Sequence, residues 1–269
     1  MAAAATVQTA EVRPGPAMKA AVVVPVWRPT LGPDESLSLR RCLSVLGAHA
    51  VTLIAPEGLS TDALPLAGAT PAVERFAPEF FSGIEGYNRL MLSTEFYGRF
   101  AAYDYILLHQ LDAFVFEDRL ADWCARGYDY VGAPWIGDGW PEDMAPLKRR
   151  LLRAITSPRT RVGNGGFSLR RVSSFRRALH RLRPLVRRWT SNEDLFWSVV
   201  ARRAASFRIP SAAEAMRFSF ELEPRRCYEE LGRTLPFGCH AWPRYEPEFW
   251  RGVFASLGVA GPTGIHTGS

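Results

Sequence analysis

The sequence predicts a single α/β domain with a mainly parallel central sheet and helices on both faces. Three observations support this fold class. Short apolar runs alternate with segments of helical periodicity through the first half of the chain, as in strands joined by crossover helices. The length of 269 residues suits one large domain. Apolar residues make up 47% of the chain, enough for a sizeable core.

The first half of the chain supplies most of the predicted sheet. Its strands are short and rich in Val, Leu and Ile, and proline follows or interrupts two of them. In order, we predict a strand at 20–26, a helix at 37–46, a strand at 50–55, a helix at 87–100 and a strand at 105–108.

The second half is less regular, and its elements are shorter. We predict a short strand within 128–135, a glycine-rich turn at 163–166 that leads into 167–169, a basic helix at 172–189 interrupted at Pro184, a helix at 192–204, and edge-like pieces at 208–210 and 235–237. The domain is predicted to span 18–257, between a disordered leader at 1–17 and a flexible tail at 258–269.

The formal charge of the chain is +6, and many of its arginines lie between Lys148 and Arg188. Such a basic segment indicates either a solvated helix face or an anionic partner, for example the surface of a membrane. No zinc finger or other nucleic-acid recognition motif accompanies these arginines, so we expect no nucleic acid as partner.

Compartment and redox state follow from the same sequence. No signal peptide is evident in residues 1–17, and the apolar run at 20–27 is too short to cross a bilayer. The four cysteines form no CxxC pair, which argues against a zinc knuckle or a redox motif. We therefore expect a cytoplasmic protein, either free or held at the inner face of the membrane through residues 148–188.

Asp112 is the first candidate site residue, because it follows a strongly apolar run that predicts a buried strand. An ionised carboxylate is costly to bury, so Asp112 is expected at the carboxyl end of the strand, where open α/β sheets bind ligands. Divalent cations such as Mg²⁺ choose oxygen ligands of this kind. A surface Asp in a turn is the alternative interpretation.

Three further motifs are weaker when each is taken alone. Gly163 to Gly166 would let backbone approach a ligand, or would form an ordinary loop. Glu193 and Asp194 would supply a general base, or would only favour a helix start, since Ser191 and Asp194 have the spacing of a capping box. His240 would bind a metal, or would pack in the core.

The order of these motifs resembles that of the GT-A glycosyltransferase superfamily. More narrowly, the chain resembles a bacterial and fungal family known as a domain of unknown function with a glycosyltransferase-like fold. The resemblance covers roughly residues 18 to 252. It is carried by Tyr105 to Phe114, Tyr128 to Trp135, Gly163 to Arg170, Asn192 to Asp194 and Phe237 to Trp242.

The resemblance implies roles for particular residues of this chain. Asp112 matches the last acid of the Asp-x-Asp metal motif, and the uncharged Gln110 stands in place of the first acid. His240 matches the late His that binds metal or diphosphate. Asp194, with Glu193 as second choice, matches the catalytic base. The implied donor-binding residues are Pro25, Val26, Arg28, Asn88, Gln110, Gly165 and Gly166, with Tyr87 as a weaker candidate.

The resemblance therefore implies a metal-assisted glycosyltransferase with Mn²⁺ or Mg²⁺ as cofactor. Its expected donor is a nucleotide-diphosphate sugar, with a UDP-sugar preferred, and its expected acceptor is a glycan or lipid-linked saccharide of the cell surface. Inversion of the anomeric centre is the preferred stereochemistry, and retention stays open. Two further alternatives also stay open, a non-catalytic binder of sugar nucleotides and a nucleic-acid-binding protein.

Overall fold

A computed structural model describes residues 18–136 and 162–259. Its main sheet has six strands in the order β3-β2-β1-β4-β7-β6, and a second sheet has the order β5-β9-β8. The strands are β1 (Ala20–Pro25), β2 (Ala50–Pro56), β3 (Ala72–Phe76), β4 (Tyr105–His109), β5 (Phe114–Val115), β6 (Tyr130–Val131), β7 (Phe167–Arg171), β8 (Ser219–Phe220) and β9 (Gly238–Cys239).

Helices connect and cover these strands. They are α1 (Pro33–Leu46), α2 (Gly83–Met91), α3 (Thr94–Arg99), α4 (Leu120–Ala125), α5 (Val172–Arg181), α6 (Arg183–Val186), α7 (Glu193–Leu195), α8 (Arg202–Ala204), α9 (Ala212–Phe218), α10 (Pro224–Glu230) and α11 (Pro247–Ser256). A 3₁₀ turn spans Pro78–Phe81, and a π-helical segment at Phe196–Ala201 joins α7 to α8. The predicted fold class is thus confirmed.

The sheet is mainly parallel, as predicted. Strand β1 pairs in parallel with β2 and β4, and β2 pairs in parallel with β3. Strand β7 is reversed and pairs antiparallel with β4 and β6. Because of this reversal, the residues that precede β7 lie beside the residues that follow β4. The Gln110 N–H donates to the Gly166 carbonyl at 2.8 Å, which joins the two segments.

Helices cover both faces of this sheet because successive side chains of a strand point to opposite faces. Val22 and Val24 face a core that contains side chains of α1 and α4. Ala21 and Val23 face a second core, formed with α2, α3, α5 and the π-helical segment. The central strands β1 and β4 are therefore buried on both faces, which explains their continuous apolar runs.

Several elements differ from the sequence predictions. The helix expected at 87–100 is two helices, α2 and α3, because the Ser93 side chain accepts from the Phe96 N–H and starts a new helix. Strand β3 was not predicted, since it is a partly exposed edge strand whose sequence includes Glu74 and Arg75. The pieces at 208–210 and 235–237 are not strands, and helices α9 to α11 were not predicted.

The second sheet brings the late strand β9 against β5, which lies near the middle of the chain. Strand β9 pairs antiparallel with β5, with Cys239 opposite Phe114. Since β5 follows Asp112 and β9 precedes His240, this pairing brings those two residues to the same place. They are far apart in sequence, and no local pattern indicates that they meet.

The predicted leader at 1–17 lies outside the described residues, as do most of the predicted tail and the part of the basic segment from 148 to 161. Within the part of the chain that the structure describes, no helix is long and apolar enough to cross a membrane. The four cysteines are buried as free thiols.

Candidate active site

A cleft of about 570 Å³ lies at the carboxyl ends of β1 and β4. Such an edge is where open α/β sheets bind ligands. Most of the residues predicted for the site line this cleft, and they come from segments that are distant in sequence. They are Pro25, Tyr87, Asn88, Gln110, Asp112, Gly165, Gly166, Glu193, Asp194 and His240.

Val26 and Arg28 are the two predicted residues that do not line the cleft. Val26 is fully buried in the core with Val22 and Val24, so its side chain is not available to a ligand. Arg28 is half-exposed at the edge, and its guanidinium pairs with Glu35. Glu35 itself lines the cleft, so Arg28 contributes to the site only through this ion pair.

One wall of the cleft is a polar cluster centred on His240. Its Nε2 lies 3.1 Å from Asp112 Oδ1 and 3.1 Å from Gln110 Oε1. Its Nδ1 lies 3.1 Å from Glu221 Oε1, on the side away from Asp112. The structure thus brings together three of the predicted residues and adds Glu221, which the sequence analysis missed.

The carboxylates on both sides of His240 decide its charge. Burial opposes protonation, but Asp112 and Glu221 outweigh this cost and raise the pKa of His240 to about 10. For Asp112, burial likewise opposes ionisation, but the His240 cation lowers the pKa of its carboxyl. An imidazolium therefore bridges two carboxylates on this wall.

The glycine turn leaves room for the side chains of His240 and Glu193. A Cβ added at Gly166 would lie 1.9 Å from His240 Nε2, and one added at Gly165 would lie 2.2 Å from Glu193 Oε1. Both distances are far below van der Waals contact, so any larger residue must displace His240 or Glu193. The glycines are needed for this close approach of side chains to backbone.

Glu193 is held in a buried ion pair behind the turn. Its Oε1 accepts from Arg170 Nη2 at 2.8 Å, and the two side chains are 4% and 0% exposed. Arg170 also donates to the Tyr97 hydroxyl at 2.9 Å and to the Gly165 carbonyl at 3.3 Å. Glu193 is therefore fixed in place and neutralised, which makes it a poor candidate for a mobile proton acceptor.

Asp194 differs from its neighbour, because no cation pairs with it among the residues that the structure describes. Burial, and then the charge of Glu193, raise the pKa of the Asp194 carboxyl to about 8. The helix starts at Glu193 with Asn192 as N-cap and without a side-chain cap bond, so the capping box suggested by the sequence is not formed. Asp194 Oδ1 instead accepts the Leu195 N–H at 2.7 Å.

Several residues of the cleft were not predicted from the sequence. Trp27, Glu35, Phe81, Gly83 and Ile84 line it, although none stands in a recognisable motif. Two of these residues, Trp27 and Ile84, have large apolar side chains that are 45% and 75% exposed. Such exposure is typical of a binding surface. Arg170 was quoted only as the end of the glycine motif, and its basic side chain gave no sign that it would be buried.

The donor set on the His240 wall fits a divalent cation in part. Asp112 and Gln110 offer a carboxylate oxygen and an amide oxygen, and His240 would offer its imidazole Nε2 once a bound cation displaced the proton from that nitrogen. Glu221 on the other ring nitrogen is the outer carboxylate that commonly orients a ligating His. Within residues 18–136 and 162–259, no group of three or more His, Cys, Asp or Glu side chains could hold a metal. A bound cation would therefore need oxygens from a ligand as well.

Comparisons with known proteins bear on the fold and the family. The family described as "Protein of unknown function (DUF5672)" matches residues 70–240, which is more than half of the chain. No curated protein matches the chain. Solved structures that share the fold include core-mannan synthase A (CmsA/Ktr4) from Aspergillus fumigatus in an Mn/GDP form, at 10% identity and a TM-score of 0.50, over 75% of this chain and 73% of that chain.

Two other solved structures extend this likeness of fold. The bifunctional glycosyltransferase WbbM in its apo form is 12% identical, with a TM-score of 0.51 over 88% of this chain and 48% of that chain. An active-site mutant of LgtC is 14% identical, with a TM-score of 0.50 over 82% of this chain and 86% of that chain. The chain therefore belongs to the DUF5672 family, and its fold is that of GT-A-like glycosyltransferases.

Proposed function

We propose that this chain is a metal-assisted glycosyltransferase that moves a sugar from a nucleotide-diphosphate donor, preferably a UDP-sugar, to a glycan or lipid-linked saccharide. One observation carries the proposal. The Asp112–His240 pair and the carboxyl of Asp194, which lacks a cation partner among the described residues, line the same cleft at the carboxyl edge of a parallel sheet. This is the pairing of groups that sugar transfer requires, namely stabilisation of a diphosphate and acceptance of a proton.

The donor is expected to lie along the cleft from Pro25 toward the His240 wall. Asp112 and His240 would hold Mn²⁺ or Mg²⁺ together with diphosphate oxygens, and Gln110 would add its amide oxygen. When bound, the cation supplies Lewis-acid stabilisation of the charge that develops on the leaving diphosphate. The two glycines keep the turn close enough for these side chains to face the donor.

Asp194 is the proposed base. The acceptor hydroxyl would give its proton to the Asp194 carboxylate as its oxygen attacks the anomeric carbon, and the bond to the diphosphate would break on the opposite side. This arrangement inverts the anomeric centre. Glu193 cannot readily take the role, because Arg170 already neutralises it. Determining the anomeric configuration of the product by NMR distinguishes inversion from the alternative, retention.

The limited protein donor set leads to a prediction about the metal. Mn²⁺ alone should bind weakly, and Mn²⁺ and UDP together should bind cooperatively, because the diphosphate completes the ligand shell. Asp112→Asn should abolish the metal-dependent part of UDP affinity and leave the fold intact, since the Asp112 side chain is 46% exposed. Isothermal titration calorimetry with and without EDTA measures both effects.

Asp62→Asn is the matched control, because Asp62 lies on an exposed surface loop and does not line the cleft. It should bind UDP and Mn²⁺ as the wild type does. Equal affinity for UDP with EDTA, with Mn²⁺ and in Asp112→Asn would show that the metal assignment is wrong. A thermal-shift screen of nucleotide sugars with Mn²⁺ identifies the donor, since a ligand at 100 times its Kd adds about 2.7 kcal/mol of stability.

The described half of the basic segment supports a proposal about where the enzyme works. The exposed basic side chains of α5, α6 and the residues that follow them make no ion pair with an acidic residue in the described parts of the chain. They are Arg176, Arg177, His180, Arg181, Arg183, Arg187 and Arg188. Leu185, among them, is 47% exposed. We define these residues as the basic face, and we propose that it contacts the inner face of the membrane.

Vesicle binding tests this contact. Wild-type protein should float with vesicles that contain anionic phosphatidylglycerol and should not float with neutral phosphatidylcholine, since each basic residue near an anionic leaflet contributes about 1 kcal/mol. Arg176→Gln/Arg177→Gln/Arg181→Gln should lose most of this binding. The control is Arg225→Gln/Arg226→Gln/Arg233→Gln, which removes the same charge from another exposed surface. Equal recovery on both vesicle types would leave the basic face as a solvated surface only.

A further inference from the structure

Two buried polar atoms at the cleft have no hydrogen-bond partner among the described residues. One is the Tyr87 hydroxyl, and the other is Oε2 of Glu193. Both residues line the cleft, and Glu193 is only 3% exposed. Buried polar groups in proteins normally have a hydrogen-bond partner. Two such atoms without a partner at the same cleft therefore point to a ligand.

The chemistry of the two atoms indicates what they would bind. Glu193 pairs with Arg170 through Oε1, so Oε2 of this carboxylate can only accept a hydrogen bond and requires a donor from the ligand. The Tyr87 hydroxyl can donate or accept, and Arg170 and Glu193 are among its polar neighbours. The Gln110 side chain also lies close enough to interact with this hydroxyl, but it makes no hydrogen bond of ordinary length to it. A pair of alcohol groups satisfies both atoms, since each hydroxyl donates and accepts.

We propose that Tyr87 and Glu193 form the subsite that binds hydroxyl groups of the transferred sugar, and that this sugar is neutral. The proposal rests on the proposed function and specifies the donor for it. The two residues lie where the transferred sugar would be held. Glu193 adjoins Asp194, the proposed base, and Tyr87 lies near Gln110, on the side proposed for the diphosphate.

The carboxylates beside the proposed subsite disfavour an acidic sugar. Glu35, Asp112, Glu193 and Asp194 all line it, and Glu221 lies behind His240. The guanidinium closest to Glu193, that of Arg170, is fully buried and already paired. A uronate carboxylate next to Glu193 Oε2 would therefore meet a like charge at low dielectric, whereas the hydroxyls of a neutral hexose would find acceptors.

Tyr87→Phe is the informative variant, because it removes one oxygen and leaves the ring in place. Its melting temperature should equal or exceed that of the wild type, since the hydroxyl that it loses is buried and unpaired. Calorimetric titration, with Mn²⁺ present, measures affinity for UDP, UDP-glucose, UDP-glucuronate, GDP and GDP-mannose. Tyr128→Phe, outside the cleft, is the control.

We expect the neutral sugar nucleotide to bind the wild type tighter than the bare diphosphate, and the glucuronate to bind at least roughly 10-fold weaker than the glucose compound. Tyr87→Phe should weaken the neutral sugar nucleotide roughly 3- to 10-fold and leave the bare diphosphate unchanged. Two results overturn the subsite alone. One is equal affinity of the wild type for the neutral and acidic donors, and the other is a Tyr87→Phe variant that loses as much affinity for the bare diphosphate as for the neutral sugar nucleotide. Failure of the wild type to bind any of the five compounds overturns the proposed function, and the subsite with it.

Discussion

Asp194→Asn should reduce turnover by roughly 10²- to 10⁴-fold, the usual contribution of a general base. Asn keeps the size of the side chain but cannot accept the proton of the acceptor. Donor affinity should change little, because the proposed site of the diphosphate is the His240 wall and not Asp194. Single-turnover kinetics with a saturating donor measures the chemical step, and Asp122→Asn, an exposed position on α4, is the control.

The pH dependence gives this variant a second test. The base must be ionised, and burial with the Glu193 charge raises the pKa of Asp194 to about 8. Therefore kcat/KM of the wild type should rise with pH, with a midpoint near 8, and level off above it. The residual activity of Asp194→Asn should lack this rise. If folded Asp194→Asn protein turned over at the wild-type rate, the assignment of Asp194 as base would be wrong, and our preference for inversion would lose its support.

The same shift predicts that the variant is more stable than the wild type at alkaline pH. The folded state holds the Asp194 proton more tightly than the unfolded state, whose Asp titrates near pH 3.9. Wild-type stability is therefore lost as pH rises from about 4 to about 8, and the full cost is present above the folded pKa. Asn has no such cost, so melting curves should diverge in its favour over this range. A lower melting temperature for Asp194→Asn would indicate a structural role instead.

Arg170→Met should cause the largest loss of stability, about 3 to 5 kcal/mol. The substitution leaves the Glu193 carboxylate buried without its cation, and it removes the bond to the Tyr97 hydroxyl. Urea unfolding measures the change in free energy. The matched control is Arg99→Met, whose pairs with Glu74 and Glu95 are exposed and should matter little.

A double variant separates loss of the ion pair from loss of packing. Arg170→Met/Glu193→Leu removes both charges, so it should recover much of the stability that Arg170→Met loses, since the buried charge is gone. Turnover should stay low in the double variant, because the proposed sugar contact of Glu193 is lost with the carboxylate. A double variant no more stable than Arg170→Met would show that Arg170 stabilises the fold through contacts other than Glu193.

The sequence predicted the parts of the fold that depend on local pattern. Buried parallel strands need apolar side chains on both faces, so β1, β2 and β4 were recognisable as continuous apolar runs. The edge strand β3 could not be predicted this way, because one partner strand and partial exposure permit residues such as Glu74. The break between α2 and α3 depends on one capping side chain, that of Ser93, inside an otherwise helical pattern.

Most of the candidate site residues lie together in one cleft, but the sequence did not indicate how they contact one another. Sequence order and the resemblance named Asp112, His240, Glu193 and Asp194, all of which line the cleft. They could not show that Glu193 is paired with Arg170, which distinguishes it from its neighbour Asp194. They also could not show that burial and the charge of Glu193 raise the pKa of Asp194.

The sequence by itself determined the fold class, the strands of the sheet core and the identities of the groups that could do chemistry. The fold class and the strands follow from periodicity and residue type, which are local properties of the chain, and the site groups follow from residue type together with the resemblance. Only the tertiary structure decided which groups meet and in which charge state. The reversal of β7 brings the glycine turn to Gln110, and the pairing of β9 with β5 brings His240 to Asp112. Burial and neighbouring charges then set the pKa of each carboxyl, and both are properties of the folded chain alone.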